Sequence, residues 1–470
     1  MTTYTSATDA DRRAMLEAIG VGSIEELFAD VPQALRLGRS LALPDEMAEQ
    51  EVYEHLRELA ARNVSCEDEV SFLGAGMYDH YMPALIDSIL SRSEFLTPYT
   101  PYQPEVSQGG LQAMFEYQTA ISELTGLPVS NASVYEGPSA VAAAGYMAKL
   151  HNGRRRLVIS AGVHPHTLQT LRTHARGYGM DVVEVPLTPD SAGGAPGSAA
   201  GVTDAHAWAE AIDADTSAAI FAQPNFYGAV EDAEALSTAA RQQHDPVVVA
   251  QVDPIVLGIL RPPGECGVDV AVGEGQALGN RLDYGGPSFG LFAAREEFMR
   301  RMPGRIAGET TDVDGRRGFV LTLQTREQHI RRERATSNIC TAQALNALAA
   351  VVYLSWLGRR GIVELGELLL ARTAYARRVL TSLEGVRPAH EQPVVREFAL
   401  ALDADVAAVR RRCAEQGINP GVDVQALSGR PEDHGLLLVA ITERRSKSDI
   451  DRLAQALGAA AAAEREAIGV

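Results

Sequence analysis

Short apolar runs alternate with amphipathic stretches through the middle of the chain, between about residues 70 and 300. Six runs have the length and apolar content of buried strands, at residues 155–160, 181–187, 217–223, 246–253, 268–273 and 289–294. Helical patterns such as "PHTLQTLRTHARGYG" and "DAEALSTAARQQH" lie between them. Alternation of this kind predicts an α/β domain with a mostly parallel sheet covered on both faces.

The pattern differs at the two ends of the chain. Three helical stretches, "DADRRAMLEAIG", "SIEELFADV" and "DEMAEQEVYEHLRELAARN", predict a helical arm over residues 1–65. A large α/β domain is predicted over 66–334, with a surface loop at 187–204. Two long apolar helices and the strand-like "VVREFALAL" and "LLLVAIT" then predict a smaller α+β domain over 335–470.

Composition narrows the classes of function. The net charge of −19 disfavours nucleic acid and anionic membranes as partners. No apolar window of 18 residues occurs, and the polar N-terminus does not resemble a targeting signal, so we expect a cytoplasmic protein. The four cysteines lie far apart, without metal-site spacing, and we expect reduced thiols and no metal; they are Cys66, Cys266, Cys340 and Cys413.

One candidate anion site lies in "SNASVYEGPSA", where small residues open a helix. Backbone N–H groups at a helix N-terminus attract anions, and Ser133, Gly137 and Ser139 are placed to line such a cradle. The alternative is simple capping of the helix by Ser139 or a neighbour.

Two further candidates follow predicted strands, at the edge of the sheet where α/β proteins bind ligands. His164 is placed to stack on a planar cofactor or to act as a base, or else to bond a loop. Asp253 is placed to meet a pyridinium nitrogen, or else to form an ordinary Asp-Pro turn.

A proline- and tyrosine-rich stretch, "TPYTPYQPEVSQGG", separates two helices. Prolines impose an extended path, and the loop either packs on its own domain or lines a ligand pocket or subunit interface. Its candidates are Tyr99, Tyr102, Gln103, Glu105 and Ser107. The arginine-rich stretch after Met302 is similarly suited to a large subunit contact, although such loops are commonly solvated.

Several long stretches are specific enough to compare with known families: "FLGAGMYDHYMPA", "SRSEFLTPYTPYQPEVSQGGLQAMFEYQTAISELTG", "VSNASVYEGPSA", "GEGQALG" and "MPGRIAGETTDVDGRRGFVLTLQTREQHIRRERATSNICTAQALNALAA". Together they resemble the family of glycine dehydrogenase (decarboxylating) subunit 1, one of the two chains of the P-protein of the glycine cleavage system. The resemblance continues to "LLLVAITERRSKSDIDRLAQAL" and covers nearly the whole chain.

The resemblance implies the aminotransferase-like fold of enzymes that use pyridoxal phosphate (PLP), known as fold type I, and an oxidoreductase acting on the CH–NH2 group. The sister subunit 2 would hold PLP, and glycine would lose CO2 there. The aminomethyl group would then pass to the lipoyl group of the H-protein. The implied partners are therefore subunit 2, lipoylated H-protein and glycine, in a heterodimer or heterotetramer.

The resemblance also assigns roles within this chain. The loop "GEGQALGNRLDYGGP" is similar to the one that carries the Schiff-base lysine, with Gln276 in the lysine's place. Only two lysines, Lys149 and Lys447, occur in the chain, and both are expected to be solvated. The implied remnants of a cofactor site are Ser133, Gly137, Ser139, His164, Asp253 and Gln276. The loop residues Tyr99, Tyr102, Gln103, Glu105 and Ser107 are then the candidates to reach the sister active site.

Two other functions stay open on the sequence alone. One is a paralogue that acts as an autonomous PLP-dependent decarboxylase, through Lys149 or with the cofactor held non-covalently. The other is a catalytically silent scaffold. The missing lysine argues against the first, but it does not separate a scaffold from a subunit that completes the sister site.

Overall fold

The computed structural model describes residues 6–189 and 201–468. The chain divides at Val64 into two compact units. In the N-terminal unit, Thr8 and Asp11 cap the helix Asp9–Ile19 reciprocally, and Gly20 ends it at a φ of 87°. The predicted helices are present there, although "SIEELFADV" forms a 3₁₀ helix at Ile24–Phe28.

Helices and strands alternate along the described residues. In chain order the α-helices are α1 Asp9–Ile19, α2 Glu49–Ala60, α3 Ala84–Leu90, α4 Ser93–Leu96, α5 Gln108–Thr125, α6 Gly137–Asn152, α7 Pro165–Tyr178, α8 Ala205–Ala211, α9 Ala233–Gln243, α10 Gln328–Arg331, α11 Ala344–Leu380, α12 Val406–Ala414, α13 Val424–Ser428 and α14 Lys447–Ile468. The strands are β1 Val70–Ser71, β2 Val129–Ser130, β3 Arg156–Ser160, β4 Asp181–Val185, β5 Leu187–Pro189, β6 Gly201–Thr203, β7 Thr216–Gln223, β8 Val247–Val252, β9 Val270–Glu274, β10 Gly290–Ala294, β11 Ile306–Thr311, β12 Arg317–Thr322, β13 Val386–Pro388, β14 Glu397–Leu402, β15 Ile418–Asn419, β16 Val422–Asp423 and β17 Leu436–Ala440.

The core of the second unit is a seven-stranded sheet in the order β2-β10-β9-β8-β7-β3-β4. Strands β4, β3, β7, β8 and β9 are parallel, and β10 pairs antiparallel with both β9 and β2. Successive residues of β7 enter different clusters, since Ile220 packs with the α6 and α7 side and Phe221 with the α8 and α9 side. All six predicted strands lie in this sheet, which confirms the predicted α/β core.

A second, antiparallel sheet follows in the order β13-β14-β17-β16. Its apolar side chains, among them Phe398 and Leu437, share a cluster with residues of α11, α12 and α14. Gly358 interrupts α11 with a φ of 63° and a ψ of −179°, so two helical segments meet there, as the two predicted apolar helices require. The proposed boundary between a large and a small domain near residue 334 stays a prediction.

Two predicted loops contain regular structure. Within the predicted 187–204 loop, β5 and β6 pair antiparallel with Leu187 opposite Thr203, while residues 190–200 lie outside the described part of the chain. In the arginine-rich stretch β11 and β12 form a hairpin, and Arg305 and Arg326 are buried rather than solvated. In the described ranges, no helix has the length and apolarity needed to cross a bilayer.

The packing of the C-terminal sheet can be tested at Phe398, which is 1% exposed. We expect Phe398→Ala to lower the free energy of unfolding by about 3–5 kcal/mol, because it removes a buried ring and leaves a cavity. Urea unfolding followed by circular dichroism measures this change. Val313 is fully exposed between β11 and β12, and Val313→Ala should change the free energy by less than about 0.5 kcal/mol. Equal losses for the two variants would contradict the packing described.

Candidate functional site

Polar side chains collect where the parallel strands of the central sheet end. His164 lies after β3, Asp253 directly follows β8, and Glu274 ends β9. Because the carboxyl ends of parallel strands open at one edge of a sheet, these side chains surround a single cavity. Its volume is about 90 Å³, and its polar walls include Tyr78, His164, Asn225, Gln251, Asp253, Glu274, Arg396 and Glu397.

The Asp253 carboxylate is already paired within the chain. Its Oδ2 accepts a hydrogen bond from Nη2 of Arg396, and its Oδ1 accepts one from the backbone N–H of Ile255 at 3.0 Å. The Arg396 side chain is 3% exposed, and its guanidinium lies 3.3 Å from the centroid of the Tyr78 ring. Asp253 therefore has an arginine partner at the position where a pyridinium nitrogen was predicted.

A histidine, His80, bonds the other terminal nitrogen of the Arg396 guanidinium. A guanidinium only donates hydrogen bonds, so Nε2 of His80 is the acceptor of the 2.7 Å bond from Nη1 of Arg396. The proton of His80 then lies on Nδ1, which donates to Oε2 of Glu443 at 2.6 Å. This chain of bonds holds Arg396 in place from the side opposite Asp253.

Glu397 is a buried carboxyl beside this ion pair. Its Oε1 accepts from the backbone N–H of Ala75 at 2.7 Å, and its Oε2 accepts from the Tyr78 hydroxyl at 2.9 Å. Burial raises the pKa of Glu397 to about 7, and burial also raises the pKa of Tyr78 above its usual value. Glu397 thus changes its charge near neutral pH, with both oxygens bound to the segment at Ala75–Tyr78.

The predicted anion cradle at the start of α6 is filled by carboxylates of the chain itself. Glu136, and not Ser139, caps the helix and accepts from the Ser139 N–H at 3.0 Å. The Gly137 N–H donates to Oε2 of Glu274 at 3.0 Å, and Oε1 of Glu274 accepts from the hydroxyl of Ser288. An anion at this helix end would therefore meet two carboxylates.

Two other predicted residues have structural partners. Gln276 is 1% exposed, accepts from the Tyr78 N–H at 2.8 Å, and donates to the carbonyls of Tyr78 and Asn280 at 3.1 and 2.8 Å. The hydroxyl of Ser133, a buried residue with a φ of 88°, accepts from the N–H of Gln343 at 3.0 Å. Gln276 therefore stabilises the loop that resembles the lysine-bearing loop of the fold.

His164 also bonds to the surrounding loops. Its Nδ1 accepts from the His166 N–H at 3.0 Å, so its Nε2 carries the proton and donates to the Ala75 carbonyl at 3.0 Å. Burial lowers the pKa of His164 to about 4, and the ring is neutral at physiological pH. The Phe226 ring packs edge-on to it, with centroids 5.1 Å apart.

The residues around this cavity do not fit PLP. Glu274 and Arg396 hold the positions predicted for a phosphate and for a ring nitrogen, and neither lysine lines the cavity. Lys149 donates to the Tyr178 carbonyl and is half-buried, whereas Lys447 is exposed and pairs with Asp451.

Comparison with known proteins decides the family. The model of the glycine cleavage system P-protein family matches residues 2–457. This chain belongs to the glycine cleavage system P-protein family. It is also similar to the probable glycine dehydrogenase (decarboxylating) subunit 1 of Moorella thermoacetica, with 47% identity over 457 residues that cover 97% of this chain and 99% of the relative.

Solved structures agree with this assignment to the P-protein family. A crystal structure of glycine decarboxylase (P-protein), in an inhibitor-bound form, is 40% identical and superposes with a TM-score of 0.84 over 98% of this chain and 100% of that one. The glutamate decarboxylase of Lactobacillus brevis has a TM-score of 0.65 at 14% identity, over 93% of this chain and 98% of that chain, and shows the same fold. The family resemblance and the predicted fold type I class are confirmed.

The predicted loop residues of this P-protein chain lie apart from the cavity. None of the five lines it; Tyr99, Gln103 and Glu105 are exposed, and Ser107 is half-buried. Tyr99 and Ser107 line a second cavity of about 580 Å³ between the loop, α5 and the start of α11. Their proposed role at a sister active site remains a prediction.

The residues that fill the first cavity were not predicted from the sequence. Arg396 and Glu397 stand in "PVVREFALAL", and Glu274 ends the apolar run "VDVAVGE". The sequence feature that could have indicated these residues is a charged residue at the end of a buried strand, where an unpaired charge costs several kcal/mol. That signal indicates that a partner exists but does not identify it.

Glu397 makes the stability of this P-protein chain depend on pH. Its pKa is about 7 when folded, against an ordinary value of 4.5, so the folded state holds a proton that the unfolded state releases between these pH values. The contribution of Glu397 to the free energy of unfolding therefore falls by about 3 kcal/mol as the pH rises from 5 to 8. We expect Glu397→Gln to gain stability relative to the wild-type chain by about that amount over this range, as measured by urea unfolding.

The control for this experiment is Glu46→Gln, since Glu46 is exposed. Its stability relative to the wild-type chain should be the same at pH 5 and pH 8. A constant difference between Glu397→Gln and wild type across the range would show that the Glu397 pKa is not raised.

Proposed function

We propose that this chain is the subunit of glycine dehydrogenase (decarboxylating) that completes an active site on a PLP-bearing sister subunit. The observation that carries the proposal is the internal filling of its own cofactor position. Glu274 occupies the α6 N-terminus, Arg396 pairs with Asp253, and Gln276 replaces the lysine. The P-protein family membership and the subunit 1 relatives support the reaction and the need for a second subunit.

On this proposal the complex binds glycine, releases CO2 and passes the aminomethyl group to the lipoyl arm of the H-protein. PLP, held by the sister subunit, supplies the electron sink for decarboxylation. This chain contributes surface and side chains, in keeping with subunits of one fold that share an interface. Whether the assembly is a heterodimer or a heterotetramer follows from its measured mass.

The loop at residues 97–107 is the part of this chain proposed to reach the sister site. Tyr99 and Val106 are 91% and 80% exposed, so two large apolar side chains of the loop are available for a contact with a partner. Three prolines limit the conformations of the loop, so less entropy is lost when it is buried against a partner. Exposed hydroxyl and carboxyl groups then become available to a neighbouring active site.

The two alternative functions have less support. An autonomous PLP enzyme would need Lys149 at the cavity or a free site for non-covalent PLP. Lys149 lies in the last turn of α6, and Glu274 and Arg396 occupy the positions predicted to bind PLP. A silent scaffold agrees with the filled cavity, but it leaves the exposed aromatic loop unexplained.

Cofactor retention distinguishes the proposal from an autonomous enzyme. After gel filtration in PLP, we expect visible absorbance of bound PLP in the complex with the sister subunit and none in this chain alone. Lys149→Arg in this chain should leave the absorbance of the complex unchanged, because Lys149 donates to a backbone carbonyl away from the cavity. PLP absorbance that stays with the isolated chain would overturn the proposal.

Loop variants distinguish the proposal from a silent scaffold. In the assembled complex we expect Tyr102→Phe and Glu105→Gln each to lower kcat/KM for glycine by about 10-fold, through the loss of one polar contact worth roughly 1.4 kcal/mol. Glu432→Gln is the control, since Glu432 is an exposed carboxylate in another part of the chain. If both loop variants turn over as fast as this control, the chain is a scaffold.

A further inference from the structure

One buried guanidinium of this chain has no hydrogen-bond partner among the described residues. Arg305 is 5% exposed, and its Nε is completely buried without an acceptor. The nearest carboxylate oxygen, Oε2 of Glu327, is 4.0 Å from that Nε, which is beyond hydrogen-bond distance. A buried donor without an acceptor is costly, so an acceptor that bound this guanidinium in the working assembly would gain free energy.

Arg326 shows what a structural arginine looks like in the same region. It is 7% exposed, and its Nε and Nη2 donate to the carbonyls of Leu323 and Gly304 at 3.1 and 3.0 Å. Its Nη1 donates to the carbonyl of Met302. Arg305 lies one residue after Gly304 but makes none of these side-chain bonds. Arg326 therefore stabilises a turn, whereas the N–H groups of Arg305 remain available to bind a ligand.

The surroundings hold Arg305 beside the loop at residues 97–107. Its backbone carbonyl accepts from the Ala132 N–H at 2.8 Å, which fixes the residue next to the segment before α6. The Tyr102 ring lies over the guanidinium, 5.6 Å from Cζ to the centroid, and Tyr102 itself is 45% exposed. The His329 ring contacts the Tyr102 ring at 5.5 Å, and its Nδ1 is 3.5 Å from Oε2 of Glu327. The guanidinium therefore lies directly beneath an exposed loop residue.

The carboxylate of Glu327 beside Arg305 favours a singly charged anion over a doubly charged one. Glu327 is 6% exposed, and its Oε1 also lacks a partner among the described residues. A dianion such as phosphate would be repelled by this carboxylate at close range, whereas a monoanion adds only one charge. The planar fork of a guanidinium matches the two oxygens of a carboxylate.

We propose that Arg305 is an anion-binding residue that this chain supplies beneath Tyr102, and that its ligand is a carboxylate. The inference rests on the proposed function, because the 97–107 loop is the part expected to meet the sister active site. Two sources offer that chemistry: the carboxylate of the substrate glycine, and an Asp or Glu side chain of the sister subunit. The two sources predict different losses when the guanidinium is removed.

The test uses the full chain assembled with its PLP-bearing sister subunit. Glycine affinity is measured by isothermal titration calorimetry, KM and kcat by turnover, and assembly by the dissociation constant of the two subunits. If glycine is the ligand, Arg305→Gln should weaken glycine binding and raise KM by about 30-fold, with assembly unchanged. If the sister side chain is the ligand, assembly should weaken by about 30-fold, and glycine affinity in the assembled complex should not change.

Conservative and matched variants keep the result specific. Arg305→Lys retains the charge but loses the fork, and it should show a loss intermediate between wild type and Arg305→Gln. Arg360→Gln is the control, because Arg360 is exposed, pairs with Glu364 on α11 and lies outside the arginine-rich stretch. Should Arg305→Gln destabilise the fold by leaving Glu327 uncompensated, the double variant Arg305→Gln/Glu327→Gln removes both charges and must give the same binding losses.

The outcomes separate this inference from the proposed function. A wild-type complex that neither assembles nor decarboxylates glycine would overturn the proposed function itself. A wild-type complex that works, together with Arg305 variants within 3-fold of the Arg360→Gln control in both affinities, would overturn the carboxylate site alone.

Discussion

The buried ion pair between Arg396 and Asp253 is the interaction on which the rest of the cavity depends. Asp253 follows a strand of the central parallel sheet, and Arg396 precedes a strand of the C-terminal antiparallel sheet. The pair therefore joins the two sheets at the edge where α/β folds bind their ligands. Removing either partner would leave a buried charge uncompensated, at a cost of about 3–5 kcal/mol. The pair therefore fixes two of the side chains that line the cavity.

Elsewhere around the cavity, the chain's own side chains also occupy positions that were predicted for a cofactor. Glu274 accepts from the first turn of α6, and Gln276 bonds both backbone groups of Tyr78. Each of these groups has its hydrogen-bonding needs met internally, so an entering cofactor would first have to break bonds of similar strength. The chain thus keeps the fold of a PLP enzyme, while the positions that would hold the cofactor serve the stability of the fold.

Some buried polar atoms of the described residues lack a hydrogen-bond partner, and at the cavity itself these include Oε1 of Gln251 and Nε of Arg396. The guanidinium of Arg305 is buried beneath a tyrosine of the proline-rich loop, and its Nε has no hydrogen-bond acceptor among the described residues. A cavity lined by the chain's own paired side chains, together with a buried donor beside an exposed loop, agrees with the proposal of a subunit that completes its neighbour's active site. In that arrangement the free energy of pairing is gained only when the complex forms.

The sequence by itself determined six of the seven strands of the central sheet, because buried parallel strands are nearly continuous apolar runs; the short strand β2 was not predicted. It also determined the absence of a lysine from the loop at Gln276. Only the tertiary structure decided which groups fill the cavity, since Asp253 and Arg396 are 143 residues apart and no local pattern records their pairing. For the same reason the sequence did not predict the bond between Glu274 and the first turn of α6, or the missing acceptor at Nε of Arg305. The partner of a charged side chain depends on distances that exist only after the chain has folded.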